Sequence, residues 1–153
     1  MKRAFGWAIA AYLVPTFPLG YLWHLVTFGA RYERLGMYRA EVVIPLGLLS
    51  MAVQAVIFAW AYPRLFSTRR DGWVGSAARF GAVFALLAWS FTTLPVAAKY
   101  RMTSVPDFLL LETAFTLVQF LLVAPLVALA YREPATAATS SGSRADALRS
   151  SPG

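Results

Sequence analysis

The chain has 153 residues, 59% of them hydrophobic, a net charge of +7, one histidine and no cysteine. Water-soluble domains hold about 45–50% apolar residues even when glycine is counted, so this composition argues against a soluble globular enzyme. The lack of cysteine excludes disulfides, thiolate catalysis and Cys-ligated metals.

The apolar residues are clustered. Residues 4–28, 42–63, 80–98 and 113–131 contain no Asp, Glu, Lys or Arg. A helix that crosses a bilayer needs roughly 20 mostly apolar residues. The last run reaches that length by extending back past Glu112 to Phe108. The runs are apolar all round rather than alternating, which is the pattern of helices and not of a membrane β-barrel. The sequence therefore predicts an all-α polytopic membrane protein, a four-transmembrane-helix bundle with spans at about 4–28, 42–63, 77–98 and 107–131. The tail, 132–153, is rich in Ser, Ala, Thr and Gly, has no aromatic residue and is expected to be disordered.

In chain order, Lys2-Arg3 followed by apolar residues resembles a signal peptide. The small-x-small site at Ala8-Ile9-Ala10 comes too early, however, and the run continues to Phe28, so an uncleaved first span is expected. Pro15 and Pro18 predict a kink or unwinding near its middle. A loop bearing Arg31, Glu33, Arg34 and Arg39 follows. Helix two starts near Glu41, carries Pro45 early and is expected to stop at Pro63, after the interfacial aromatics Trp60 and Tyr62. In helix three, Ala78, Gly81, Ala82 and Ala85 form a small-residue pattern suited to close helix packing. Ser104-Val105-Pro106-Asp107 has the residues of a helix start, and helix four follows.

Lys and Arg set the orientation. Lys2, Arg3, Arg64, Arg69, Arg70, Arg79, Arg132, Arg144 and Arg149 on one side outnumber Arg31, Arg34, Arg39, Lys99 and Arg101 on the other. Both termini are assigned to the cytoplasm. The positive charge thus serves topology and anionic headgroups, and the expected partner is the bilayer, with a homo-oligomer or a larger membrane complex, and no nucleic acid.

Polar groups inside a bilayer are costly and need a partner or a use. Glu112 lies ~9 Å past Pro106 at ~1.5 Å per residue, and Thr116 and Gln119 continue its stripe. It reads either as a proton-titrating or cation-binding carboxylate or as a structural acid that fixes packing. His24 lies ~6 Å from the outer end of helix one and shares a depth with Glu112. The two are expected to approach each other, with Glu41 and Lys99 closing the outer rim. Gly47, Ser50 and Gln54 share a face of helix two and would line a pore or bond to a neighbouring helix. Trp89, deep in its helix, would stack on a ligand or pack. Trp23 and Trp89, Tyr32 and Tyr100, Gln54 and Gln119, and Tyr62 and Tyr131 sit about one helix-hairpin apart and hint at a duplication. No HExxH, GxSxG or Walker A motif is present, and no cofactor or metal is expected.

Tyr21-Leu22-Trp23-His24…Phe28, Pro45-Leu46-Gly47-Leu48-Leu49-Ser50-Met51…Gln54 and Tyr62-Pro63-Arg64 resemble small bacterial four-helix integral membrane proteins of a domain-of-unknown-function type. The resemblance implies a bacterial inner membrane and no particular activity. Small multidrug transporters also have four helices and one membrane glutamate, but theirs lies in the first helix, where this chain has none. Two function classes remain: a non-enzymatic bundle acting as an accessory or assembly subunit, and a small-solute or proton/cation-coupled transporter or channel using Glu112 and His24.

Overall fold

A computed structural model describes residues 2–39 and 41–132; the expected disorder of the tail falls outside the described residues from 133 onward. The described residues are helical, with no strand. Four stretches are long and apolar enough to cross a bilayer: Lys2–Thr27, Ile44–Leu65, Arg70–Lys99 and Val105–Tyr131. The shortest has 22 residues, ~33 Å at ~1.5 Å per residue, against a hydrocarbon core of ~30 Å. The chain is an all-α, multi-pass membrane protein.

The first span is α1 (Lys2–Tyr21) followed by a π-helical segment, Leu22–Thr27. The helix runs unbroken through Pro15 and Pro18, and the irregularity lies just beyond them. There the Phe28 N–H reaches back five residues to the Trp23 carbonyl at 3.0 Å, so one extra residue is absorbed into the turn. The next segment, expected as a loop, forms the short helix α2 (Gly29–Leu35), because Tyr32 and Leu35 find a buried face there. Gly36 ends it in the left-handed region at φ 72°, which glycine adopts without steric cost.

The second span, α3 (Ile44–Leu65), passes through Pro63 instead of stopping at it. A proline cannot donate to the carbonyl four residues back, which here belongs to Ala59. The Tyr131 hydroxyl donates to that carbonyl at 2.5 Å, so the helix continues without an orphaned acceptor. Tyr131→Phe is expected to cost about 1 kcal/mol in a thermal or denaturant assay of the detergent-solubilised chain. In the Pro63→Ala background, where a backbone N–H can take over, the same change is expected to cost little. Additive losses in the two variants would refute the compensation.

The third span comprises α4 (Trp73–Ala88), a second π-helical segment (Trp89–Thr93) and α5 (Leu94–Lys99). It begins earlier than residue 77, and Arg79, counted with the preceding connection, lies about two turns inside α4 with its side chain exposed, as long cations do near a membrane interface. The fourth span is α6 (Val105–Tyr131), capped as its sequence foretells by the Ser104 hydroxyl accepting from the Asp107 N–H at 3.3 Å.

α6 is the most enclosed helix and packs between α1 and α4, while α3 packs mainly against α1. At the end holding the N-terminus, aromatic rings close the bundle: Phe58 lies 5.7 Å from Phe80 and 4.7 Å from Phe84, and Tyr62 lies 5.3 Å from Phe80. Tyr62 and Tyr131, one of the repeat-like pairs, stack at 5.6 Å. Tyr32 and Tyr100, another such pair, differ: the first is buried and the second exposed.

At the opposite end a smaller core of Tyr32, Leu35, Phe108 and Leu111 ties α2 to the start of α6. Thr103 fastens the α5–α6 turn to it, donating from its N–H to the Leu35 carbonyl at 3.1 Å and from its hydroxyl to the Arg34 carbonyl at 2.8 Å. These carbonyls lie at the end of α2, where a helix has none of its own donors left.

Candidate functional site

The buried face of α1 is Ala8, Tyr12, Thr16 and Gly20, and the four-residue step brings His24 next in line. This stripe faces α6, so the lone histidine meets the glutamate of the fourth span: His24 Nε2 lies 3.3 Å from Glu112 Oε1. Their side chains are 24% and 18% exposed, respectively, which places the pair in a half-closed setting that water or a ligand can reach. Phe115 packs edge-on against the imidazole at 4.5 Å.

The hydrogen bonds fix what this pair can hold. The other ring nitrogen, Nδ1, lies 3.0 Å from the Gly20 carbonyl. A carbonyl only accepts, so Nδ1 carries a hydrogen. In the neutral ring, Nε2 is then a bare lone pair, and it faces a carboxyl oxygen. A hydrogen bond between them calls for a proton on one of the two groups. At 3.3 Å it is longer than the usual 2.7–3.2 Å and has room to tighten.

Tyr32 completes the site and was not singled out as a site residue from the sequence. Its hydroxyl donates to the same Glu112 oxygen at 2.7 Å. Tyr38 stacks on it in parallel, with ring centroids 5.2 Å apart, because Gly36 turns the chain back over the end of α2. Burial first, and the charge of Glu112 second, push the Tyr32 and Tyr38 hydroxyls above the ordinary phenol value. The sign is that of an acid kept neutral by folding: stability holds below about pH 10, where unfolded phenols are also protonated, and falls as pH rises through the folded values. In an ultraviolet titration of phenolate absorbance, these two rings are expected to ionise only as the bundle opens, with Tyr32→Phe removing amplitude from that late step. Complete ionisation at an ordinary phenol value with the helices intact would contradict this.

The triad walls a cavity of about 250 Å³ at the end of the bundle away from the N-terminus, shared with Thr93 and Val96. Thr93 is fully buried, and its hydroxyl has no hydrogen-bond partner among the described residues. His24 and Thr93 each lie in one of the two π-helical segments, a distortion frequent at functional sites. Apolar periodicity carries no mark of such a one-residue insertion, which is why neither segment was foreseen.

A second polar cluster lies deeper. Gln119 Nε2 donates to the Tyr12 hydroxyl at 3.1 Å, that hydroxyl donates to Gln54 Oε1, and Gln54 Nε2 donates to Ser50 Oγ at 3.2 Å. Gln54, Ser50 and Gln119 thus join three helices through Tyr12, which the four-residue step back from His24 marks in the sequence. No hydrogen bond among the described residues links this cluster to the triad. Thr116 is buried but belongs to neither; it borders a separate cavity with Trp89. The Trp89 indole donates to Thr113 Oγ1 at 2.9 Å, so it has a packing partner.

Glu41 and Lys99, the expected outer rim, are both exposed, and neither forms an ion pair among the described residues. Arg31 and Asp107 form an exposed ion pair at 3.8 Å, of a kind that contributes little. Among the described residues, no group of three or more His, Cys, Asp or Glu could hold a metal ion. No protein-family model, curated protein or solved structure matches the chain.

Proposed function

We propose that this protein is a non-enzymatic membrane carrier that binds a solute at Tyr32, Glu112 and His24 and couples its passage to the proton held there. One observation carries the reading: His24 and Glu112, 3.3 Å apart, also wall a cavity with the buried Thr93, whose hydroxyl has no partner among the described residues. A purely structural carboxylate would be served by burying it against its donors. Here the contact is loose and half-open, as a group that must exchange a proton requires.

The aromatic core at the other end of the bundle supports a carrier over an open channel, since close-packed rings and aliphatic side chains fill it. With the N-terminus in the cytoplasm, as the Lys and Arg asymmetry supports, the cavity faces the outside of the cell membrane. The test is proton entry into vesicles that contain the purified chain and a trapped pH dye. An acid step is imposed with and without a panel of organic acids and amines, and Glu112→Gln serves as the control. If no condition moves protons and the chain co-purifies with a larger complex, the accessory-subunit reading replaces this one.

A further inference from the structure

The bundle is closed at one end and splayed at the other. Every residue of α3 from Ile44 to Ser50 is exposed, because the start of this helix leans away from α1. The gap is a lateral cleft of about 390 Å³ between the end of the first span and the start of α3, roofed by the chain from Met37 to Arg39. Its depth is apolar, with Gly47 and Met51 on the α3 side. The polar residues along it are Tyr21, His24, Tyr38 and Arg39.

Two features indicate what this cleft accepts. The first is charge. Arg39 has no carboxylate partner among the described residues, and the nearby Glu41 forms no ion pair with it. A cation left unpaired at the rim of an apolar cleft complements an anionic head with an apolar tail. Glu112 does not line the cleft, whereas His24 lines both the cleft and the cavity that Glu112 walls. The second feature is continuity with the triad. His24, Met37 and Tyr38 line both the cleft and the cavity beside Glu112, so a head placed at Arg39 borders the proton-sharing pair. Ligand sites run from about 300 to 1,000 Å³, and a cleft near the small end of that range suits one acyl chain better than two.

We infer that the cleft binds a long-chain carboxylate taken laterally from the bilayer, its chain between the first span and α3 and its head toward Arg39 and His24. This rests on the carrier reading and names its substrate class.

The experiment uses the full chain in phosphatidylcholine nanodiscs and radiolabelled palmitate. Saturable binding is expected, displaced by unlabelled palmitate. Hexadecyltrimethylammonium, with the same chain and the opposite charge, is expected not to compete, and neither is two-chained phosphatidylglycerol. Arg39→Gln is expected to weaken binding by at least about tenfold, through loss of a charge-assisted contact. Gly47→Leu is expected to abolish it by filling the cleft. A Cβ at Gly47 meets no atom within 4 Å, so that variant keeps its fold and its melting temperature. Competition by either decoy as strong as that of palmitate, or undiminished binding in Gly47→Leu, would overturn the proposal. Absence of palmitate binding in a chain that still shows Glu112-dependent proton entry would sink the cleft alone. Saturable palmitate binding in a chain that moves no protons would sink the carrier reading alone.

Discussion

Glu112→Gln is expected to lower proton-coupled flux by at least about tenfold, ~1.4 kcal/mol in the limiting step, while leaving the bundle folded. The substitution is nearly isosteric, and both neighbours can keep a partner. Tyr32 and His24 meet the same carboxyl oxygen, Oε1. With the amide nitrogen in its place, one N–H can go to His24 Nε2 and the other to the Tyr32 oxygen, which turns from donor to acceptor. The contacts are kept but no titrating proton is, because an amide neither takes nor gives one at neutral pH. Glu112→Ala is a different experiment. It strands the Tyr32 hydroxyl and the imidazole in a half-buried site, at about 1–3 kcal/mol each, so loss of flux there would be confounded with loss of fold. A second comparison removes the remaining ambiguity. If the two groups act as one proton-holding unit, His24→Gln added to Glu112→Gln should reduce flux no further than Glu112→Gln alone. Wild-type flux in Glu112→Gln, with the melting temperature unchanged, would show that the carboxyl is structural.

The parts of this site legible in the sequence were those that violate the chemistry of their surroundings. A carboxylate and an imidazole in apolar runs are conspicuous because the bilayer penalises them, and counting residues from the ends of the spans gave both the same depth. Tyr32 and Tyr12 were not conspicuous. Tyrosine is common both at membrane interfaces and in helix cores, and nothing local separates an interfacial ring from one whose hydroxyl holds a buried carboxylate. The short helix that delivers Tyr32 was equally hidden. Arg31, Glu33 and Arg34 give residues 29–39 the look of a solvated loop, and only tertiary burial of Tyr32 and Leu35 makes a seven-residue helix worth forming. The span limits followed hydropathy, but the passage of α3 through Pro63 did not. It depends on a tyrosine 68 positions later that the helix end alone could not reveal.

Gly81→Leu is expected to destabilise the bundle by about 1–3 kcal/mol, and the argument runs through the helix that carries Glu112. A Cβ at Gly81 would sit 3.0 Å from the Ala124 Cβ and 3.6 Å from the Phe120 carbonyl oxygen. Neither neighbour can swing aside, since one is attached directly to the backbone of α6 and the other is part of it. Even alanine therefore asks α4 and α6 to part by a few tenths of an ångström, and leucine asks for far more. In lipid no hydrophobic force draws the helices back, because the acyl chains are as apolar as the interface, so close packing is the main attraction and is what the substitution removes. α6 also packs on α1, so a shift at Gly81 loosens the contact that brings His24 to Glu112. Ala78→Leu is the control: it lies three residues earlier on the same helix but is exposed, and it is expected to change the melting temperature little. A thermal scan in detergent that finds the two leucine variants equally stable would mean that the close approach of α4 and α6 is not what holds the bundle. A scan that finds Gly81→Leu unstable, together with flux that falls in the order wild type, Gly81→Ala, Gly81→Leu, would tie the geometry of the proton-sharing pair to a small residue more than 30 positions away in sequence from Glu112.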